Sequence, residues 1–218
     1  MVFESVIMKK PLILVGGGGH CKSVIEVAES AGYSILGVLD TAENVGKKVL
    51  NCTIIGTDDD IVNYVDKALF VITVGQIKDA TLRMKLYAKV INSHGQFATL
   101  IADTAKVSKY SIIGEGTVIM HQAVVNADAK VGVGCIINTF ANIEHDVIVN
   151  DFCHISTGAM VNGNCIVGKG SFLGSQAVMV NGVNITDGCV IAEGAMVRKD
   201  IRTKGVYSGN PATLKINL

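Results

Sequence analysis

A six-residue repeat runs through the second half of the chain. Reading from Ile101 to Val197 in steps of six, sixteen of the seventeen positions carry Ile, Val or Leu, and the remaining one is Met179. A period of six is neither the 3.6 of a helix nor the simple alternation of a single strand. Regularity at a fixed short period over almost a hundred residues indicates a solenoid, in which each repeat packs only on its neighbours.

A second register of small residues accompanies the first. Four positions after each large aliphatic, from Ala105 to Ala195, the chain carries Ala, Ser, Thr, Cys or Val. This alternation fits a chain that turns a tight corner every six residues and points the aliphatic side chain into a narrow interior. Nine glycines near the expected corners should relieve backbone strain: 114, 116, 132, 134, 168, 170, 174, 188 and 194. Four cysteines should be buried interior residues and not nucleophiles: Cys135, Cys153, Cys165 and Cys189.

Three sides of six residues give an 18-residue coil. Residues 101 to 197 then form between five and six coils, stacked about 4.8 Å apart by parallel strand pairing. The predicted fold of this half is an all-β left-handed parallel β-helix, an exception to the usual right-handed crossover.

The first half predicts a small Rossmann-like α/β domain. A strand at Leu12 to Val15 leads into Gly16-Gly17-Gly18-Gly19-His20, a helix to about Ala31 and a strand at Ile35 to Leu39. Further strands are expected near 53–55 and 69–74, and helices near 58–66 and 79–93. We place this domain at residues 1–100 and the β-helix with its C-terminal tail at 101–218.

The glycine-rich turn is the expected substrate-binding segment. The amides of Gly17, Gly18 and Gly19 at a helix N-terminus suit a phosphate, and Asp40 ends the second strand where a ribose or base contact often falls. Cys21 or Lys22 stands where the dinucleotide fingerprint has its last glycine, which disfavours a redox dinucleotide but permits one mononucleotide. The alternative is a plain strand-to-helix turn, with His20 as a phosphate contact or a helix cap.

The segment from Asn138 to Asp146, followed by His154, concentrates the chemistry of the β-helix. His145 beside Asp146 has the components of a general base that an acid orients. Gly163 follows His145 by one 18-residue coil, so its amide is expected to face the same cleft and stabilise an oxyanion. The alternative for His145 is a solvated corner histidine, which is also the reading for His121 and His94.

Composition excludes several classes of function. The 19 basic and 19 acidic residues cancel, which argues against a nucleic-acid partner. The six cysteines form no CxxC pair or zinc-ligand cluster, so no metal is expected. Residues Met1 to Lys10 contain no recognisable export signal, and no apolar run is long enough for a bilayer. A cytoplasmic location away from membranes is therefore expected.

Together these motifs, with the ending from Lys204 to Ala212, resemble the bacterial sugar O- and N-acyltransferase family of hexapeptide-repeat enzymes, which includes sialic acid O-acetyltransferases and nucleotide-4-amino-sugar N-acetyltransferases. The resemblance implies acetyl-CoA as co-substrate, a nucleotide-linked sugar held by the N-terminal turn, and a homotrimer with acetyl-CoA between neighbouring prisms. It also implies roles for four residues: His145 is the base, Asp146 its orienting acid, Gly163 the oxyanion amide and coenzyme contact, and His154 a cofactor or substrate contact.

Two positions depart from the family pattern. Asp146 stands where Glu is frequent, which preserves the acidic role, and Thr213 stands where Lys or Arg is common, which weakens a coenzyme-phosphate role for that position. Three functions remain open at this stage. They are N-acetylation of a nucleotide-linked 4-amino-6-deoxy sugar in surface-glycan or glycoprotein synthesis, O-acetylation of a sialic-acid-like hydroxyl, and a non-catalytic scaffold that senses a nucleotide.

Overall fold

The structure is a computed structural model that describes residues 9–218. The expectation of a missing export signal concerns Met1 to Lys10, and therefore falls largely outside the described residues. Within the described part, no helix is both long and apolar enough to cross a membrane.

The N-terminal part is a five-stranded sheet with helices on both faces. In chain order its elements are β1 (Leu12–Val15), α1 (Gly19–Ser30), β2 (Ile35–Leu39), a 3-10 helix (Ala42–Asn44), β3 (Lys48–Val49), β4 (Cys52–Gly56), a 3-10 helix (Asp58–Asn63), β5 (Leu69–Ile72) and α2 (Thr81–Asn92). The strand order is β3-β4-β2-β1-β5, and all pairs are parallel except β3 with β4. The expected βαβ unit is confirmed.

One predicted helix differs from the structure. The helix expected near 58–66 is a 3-10 helix that ends at Asn63. Thr57 and Asp60 form a capping box that satisfies its first N–H groups, so the helix begins efficiently. Tyr64 then leaves helical geometry, and the amides of Lys67 and Ala68 bond back to the Tyr64 carbonyl in a turn that leads into β5.

The second half consists of two-residue strands that repeat every six residues. They are Leu100–Ile101 (β6), Lys106–Val107 (β7), Ile112–Ile113 (β8), Val118–Ile119 (β9), Val124–Val125 (β10), Lys130–Val131 (β11), Ile136–Ile137 (β12), Asn142–Ile143 (β13), Ile148–Val149 (β14), His154–Ile155 (β15), Met160–Val161 (β16), Ile166–Val167 (β17), Phe172–Leu173 (β18), Val178–Met179 (β19), Asn184–Ile185 (β20), Val190–Ile191 (β21) and Met196–Val197 (β22). Each strand from β6 to β19 pairs in parallel with the strand 18 residues further on, giving three sheets along the prism. The prediction of between five and six coils is confirmed.

The chain closes with a hairpin that extends one of these sheets. Strand β23 (Gly205–Ser208) pairs in parallel with β21, and β24 (Thr213–Asn217) pairs with β23 in antiparallel fashion.

A left-handed backbone residue lies at each corner of the prism from Gly116 onward. Positive φ angles recur at intervals of six from Gly116 to Gly194: 116, 122, 128, 134, 140, 146, 152, 158, 164, 170, 176, 182, 188 and 194. Five of the nine predicted corner glycines are among them. The other four, 114, 132, 168 and 174, lack positive φ and instead lie so close to the next coil that a Cβ would meet its backbone or an adjacent side chain. For these four the expectation of relieved strain is wrong, because they serve close stacking.

The aliphatic register fills the interior from Ile119 onward. These side chains are at most 3% exposed as far as Val197, and the four predicted interior cysteines are fully buried. The first coil differs, since Ile101 is 37% exposed and Val107 and Ile113 are only half-buried. Val107 and Ile113 still pack against the interior cluster, and they are more exposed because within residues 9–218 no earlier coil lies beneath them.

Helix α1 joins the two halves through a shared core. Its buried residues Val24 and Val27 belong to the same cluster as Leu14 of the sheet and as Leu100 and Val118 of the first two coils. The sheet therefore sits over one side of the prism. The division of the chain into domains at residue 100 remains a prediction.

Candidate active site

The histidine and carboxylate predicted as a pair are in contact. His145 and Asp146 lie on the corner between β13 and β14, and His145 Nδ1 is 2.7 Å from Asp146 Oδ2. Both side chains are more than half exposed. Because a carboxylate only accepts, Nδ1 carries the proton and Nε2 keeps its lone pair for a reactant. The hydrogen bond to Asp146 is the largest cause of a raised pKa of His145, with a smaller contribution from the Glu144 charge.

Gly163 lies directly beneath the imidazole. A Cβ built on Gly163 would stand 2.7 Å from His145 Cε1 and 2.9 Å from Nε2, so a side chain at this position would collide with the ring. The neighbouring turns are stacked by a 3.1 Å hydrogen bond from the Asn164 amide to the His145 carbonyl. Among the described residues the Gly163 amide donates no hydrogen bond. The structure thus brings the three predicted catalytic residues together.

The glycine-rich turn forms a second site at the carboxyl end of the N-terminal sheet. The Gly17 amide donates to Asp40 Oδ2 at 2.6 Å, and Asp40 Oδ1 accepts from the Thr41 amide at 2.6 Å. Gly18 and Gly19 face open space, and helix α1 begins there without a side-chain cap. Their amides, which donate to no group within residues 9–218, border a cavity of about 560 Å³. The same cavity is also lined by His20, Asp40 and residues 73–75, which follow β5.

A larger cavity of about 920 Å³ lies between the N-terminal part and the β-helix. It adjoins the first cavity at Gly19, His20 and Gly75, and extends along the loop Gly75–Lys78. Asn138, Thr139, His154 and Thr157 form its wall on the β-helix side.

Both cavity histidines are neutral at physiological pH. Burial lowers the pKa of His20 to about 3 and that of His154 to about 4, and the nearby Arg83 charge acts in the same direction on both. His154 Nδ1 donates to the Gln76 carbonyl at 2.7 Å, so its Nε2 accepts from Asn138 Nδ2 at 3.1 Å. Both ring nitrogens of His154 already have protein partners. The side chain therefore lines the cavity with its ring carbons and offers no free nitrogen there. Its predicted contact with a cofactor or substrate remains a prediction.

The predicted residues therefore form two groups. His145, Asp146 and Gly163 lie on one corner of the prism, and Gly17, Gly18, Gly19, His20, Asp40 and His154 lie around the two cavities. The second group adjoins the preceding corner through Asn138 and Thr139, and Thr139 lies six residues before His145. At about 3.3 Å per residue, six residues span up to about 20 Å.

Sequence reasoning missed the loop Gly75–Lys78 and the buried Arg83. A signal for the loop was available, because it follows β5, whose carboxyl end meets those of β1 and β2 at one edge of the sheet. Ligands of open parallel sheets bind at that edge. Among residues 9–218 no three metal-binding side chains cluster together.

Comparison with known proteins identifies the family. Residues 11–90 match the PglD N-terminal domain. An uncharacterized protein of Acanthamoeba polyphaga mimivirus is 30% identical over 119 residues, which are 55% of this chain and 23% of the viral protein's length. The alignment therefore spans about a quarter of that relative.

Two solved structures match almost the whole chain. The acetyltransferase domain of PglB from Neisseria gonorrhoeae is 30% identical, with 95% of this chain and 100% of that chain covered and a TM-score of 0.89. It has also been solved in complex with acetyl coenzyme A. PerB from Caulobacter crescentus, in complex with CoA and GDP-perosamine, is 29% identical, with 94% and 97% covered and a TM-score of 0.87. The chain belongs to the hexapeptide-repeat family of acetyl-CoA-dependent sugar acetyltransferases.

Proposed function

We propose that this chain transfers the acetyl group of acetyl-CoA to the 4-amino group of a nucleotide-linked 4-amino-6-deoxy sugar. The observation that carries the proposal is the corner at His145, where an exposed imidazole with a fixed tautomer lies over a backbone amide that has no partner in the described part of the chain. The likeness to PerB, which binds CoA and GDP-perosamine, supports an amino sugar as the acceptor.

The chemistry at this corner is a direct acyl transfer. His145 Nε2 accepts a proton from the acceptor amine as the amine nitrogen bonds to the thioester carbonyl carbon. The Gly163 N–H stabilises the negative carbonyl oxygen of the tetrahedral intermediate. The intermediate collapses by breaking the C–S bond, and the electron pair leaves with the CoA thiolate. Asp146 keeps the Nδ1 proton in place and stabilises the imidazolium that forms.

The nucleotide diphosphate is assigned to the amides of Gly18 and Gly19. A helix N-terminus with unpaired N–H groups attracts phosphate through both hydrogen bonds and the helix dipole. Asp40 already accepts two backbone amides, so it orders this turn, and a ribose hydroxyl or a base N–H would donate to its remaining lone pairs. The sugar then extends past His20 into the larger cavity toward Asn138.

The coenzyme is assigned to the corner that continues from His145. Positions 145, 163 and 181 follow one another at 18-residue spacing, and Asn181 Nδ2 lies 3.3 Å from the Cβ position of Gly163. Lys199 is the next residue in this series. It borders a cleft of about 600 Å³ together with Arg198 and Arg202. We assign the coenzyme phosphates to this basic cleft, whose side chains supply the positive charge that Thr213 lacks. The pantetheine arm is assigned to the corner between the cleft and Gly163.

A homotrimer with shared sites is part of the proposal. The acceptor cavity and His145 adjoin successive corners of one prism, so a second copy is needed to bring a bound sugar to an imidazole. Exposed apolar side chains line the prism sides next to His145, including Met160 at 41%, Ile148 at 36% and Ile166 at 38%. Burying such a stripe against a neighbouring prism would also exclude water from the reaction.

The first experiment measures CoA-thiol release from acetyl-CoA with a panel of GDP-, UDP- and dTDP-linked 4-amino sugars and with free sialic acid. Release with an amino sugar, giving a product stable to mild alkali, supports N-acetylation. Release only with sialic acid, giving an alkali-labile product, refutes it. Replacing His145 by Ala should lower turnover about 10²- to 10⁴-fold, whereas near-normal turnover would exclude it as the base.

A subunit-mixing experiment tests the shared site. His145→Ala removes the base, and Gly17→Asp places a second carboxylate against Asp40 in the phosphate turn. Each variant alone should be inactive. Co-assembly should restore partial activity if base and nucleotide site come from different chains. Two inactive variants that stay inactive in verified mixed oligomers would show that each site is built from a single chain.

A further inference from the structure

A charged arginine is buried beneath the larger cavity. Arg83 in α2 is 3% exposed, and among the described residues it makes no ion pair. Its Nη1 donates to Gln76 Oε1 at 2.8 Å, its Nη2 donates to the Gly134 carbonyl, and its Nε has no partner. Burial lowers the pKa of Arg83 to about 10, so the group is still charged at neutral pH. Burying a charge without a carboxylate partner destabilises the fold, which indicates that the arginine serves another purpose.

Gln76 connects this arginine to the β-helix. The residue is 4% exposed and is bonded at three places. Its Oε1 accepts from Arg83, its Nε2 donates to the Gly170 carbonyl at 2.9 Å, and its backbone carbonyl accepts from His154 Nδ1 at 2.7 Å. Through its side chain and its backbone carbonyl, Gln76 therefore connects α2 and the loop 75–78 to two coils of the prism.

The connection fixes the orientation of a residue in the cavity wall. Because His154 Nδ1 donates to Gln76, its Nε2 is an acceptor and takes a hydrogen bond from Asn138 Nδ2 at 3.1 Å. Asn138 Oδ1 in turn accepts from the Thr139 amide at 2.8 Å. The Asn138 amide group cannot flip without losing both bonds. One N–H of Asn138 is left over beside the cavity.

We propose that Arg83 and Gln76 are positioning residues for the acceptor sugar, acting through His154 on Asn138. This inference rests on the proposed function, since it takes the larger cavity as the sugar site. The fork of the guanidinium holds Gln76 on one side and Gly134 on the other, which a lysine cannot do at once. Gln76 then sets the tautomer of His154, and that tautomer sets the direction in which Asn138 presents its amide to the bound sugar.

The kinetic test uses Gln76→Ala and Arg83→Lys, with Asn138→Asp as a variant that leaves α2 and the loop intact. Asn138→Asp would place a carboxylate oxygen, which only accepts, against the His154 Nε2 lone pair and so remove the last hydrogen bond of the network. All three variants should lower kcat with the amino-sugar substrate by about 10- to 100-fold, as expected for a misplaced reactant. KM for acetyl-CoA, and binding of the free nucleoside diphosphate measured by calorimetry, should stay within about threefold of wild type.

A purely structural role predicts a different pattern. In that case the affinity for the nucleotide and the melting temperature would fall and KM for acetyl-CoA would rise, together with the loss of kcat. That result would overturn the proposal. Unchanged kcat in Asn138→Asp would also overturn it, because the last link would then be without effect.

A second readout does not depend on activity. Nitrogen-15 NMR of histidine-labelled protein should show His154 as the Nδ1–H tautomer in wild type. Gln76→Ala keeps the backbone carbonyl that accepts from Nδ1 but removes the side-chain bonds to Arg83 and Gly170 that hold this carbonyl in place, so the tautomer ratio should change. An unaltered His154 signal would refute the connection through Gln76. If the tautomer changes but no sugar is acetylated by wild type, the network stands and the proposed function fails.

Discussion

Replacing Gly163 by Ala tests whether the position of the His145 ring depends on Gly163 having no side chain. The new Cβ would stand 2.7 Å from Cε1 and 2.9 Å from Nε2, whereas ordinary contact begins at 3.4 Å. The imidazole would therefore have to retreat by about 0.5 to 0.7 Å, the difference between these contacts. The backbone itself allows a side chain here, because φ is not positive and the equivalent positions 127, 145 and 181 carry Ala, His and Asn.

The expected effect is on turnover. A displacement of 1 Å in a reacting geometry costs about 10²-fold, so half that displacement should lower kcat by roughly one order of magnitude, or about 1.4 kcal/mol of barrier. The assay is steady-state CoA-thiol release at saturating concentrations of both substrates. KM for the nucleotide sugar should be little changed, since its cavities adjoin a different corner, and the melting temperature should also be preserved.

A double-mutant cycle supplies the control. In a His145→Ala background the added methyl group no longer meets an imidazole, so Gly163→Ala should cause little further loss. If kcat of the single variant stays within about twofold of wild type, the ring is not positioned by Gly163. If the loss is equally large in both backgrounds, Gly163 acts through its own amide and not through His145.

Three further predictions concern the base, the coenzyme and the core. Because the Asp146 hydrogen bond raises the pKa of His145, kcat/KM should rise with pH through an inflection above 6.5; Asp146→Asn should move this inflection to lower pH and lower the plateau, as seen in a pH–rate profile. Lys199→Ala should raise KM for acetyl-CoA by about tenfold at low salt, with a smaller change for acetyl-dephospho-CoA if the lysine contacts the 3′-phosphate. Ile155→Ala should cost about 2 to 5 kcal/mol of unfolding free energy in urea titrations, whereas Ile101→Ala, at the half-exposed first coil, should cost much less.

The repeat could be predicted from the sequence because every coil has the same packing requirement. Every sixth residue must fill a narrow interior, so the aliphatic register is nearly invariant within the chain itself. The corners were harder to predict, because left-handed φ is only partly encoded in residue type. Gly134 and Asp146 are ordinary occupants of that conformation, but Phe140, Phe152 and Gln176 adopt it as well. Their φ is imposed by the stacked coils on either side.

The candidate site also contains some residues that could be predicted from the sequence and others that could not. His145, Asp146 and Gly163 could be found because they are adjacent or one coil apart, and the repeat converts sequence spacing into spatial position. Gln76 and Arg83 could not be found so, since their partners Gly170 and Gly134 lie 94 and 51 residues away. Those contacts depend on how the sheet sits over the prism, and no local pattern specifies that arrangement.

The residues assigned to catalysis and those that line the acceptor cavities belong to different parts of the fold, and this separation affects substrate specificity. The groups assigned to bond making and breaking belong to a rigid repeat whose spacing is fixed by strand pairing, and the coenzyme corner continues along the same repeat. The groups that border the acceptor cavities come mainly from loops at one sheet edge, joined to the prism through Gln76 and His154. Changes in the segments 41–44 and 75–78 should therefore alter which nucleotide sugar is bound while leaving the geometry at His145 intact. If exchange of Glu43 or Lys78 changed the pH dependence of acetyl transfer, rather than only the affinity for the sugar nucleotide, the two functions would not be separable in this way.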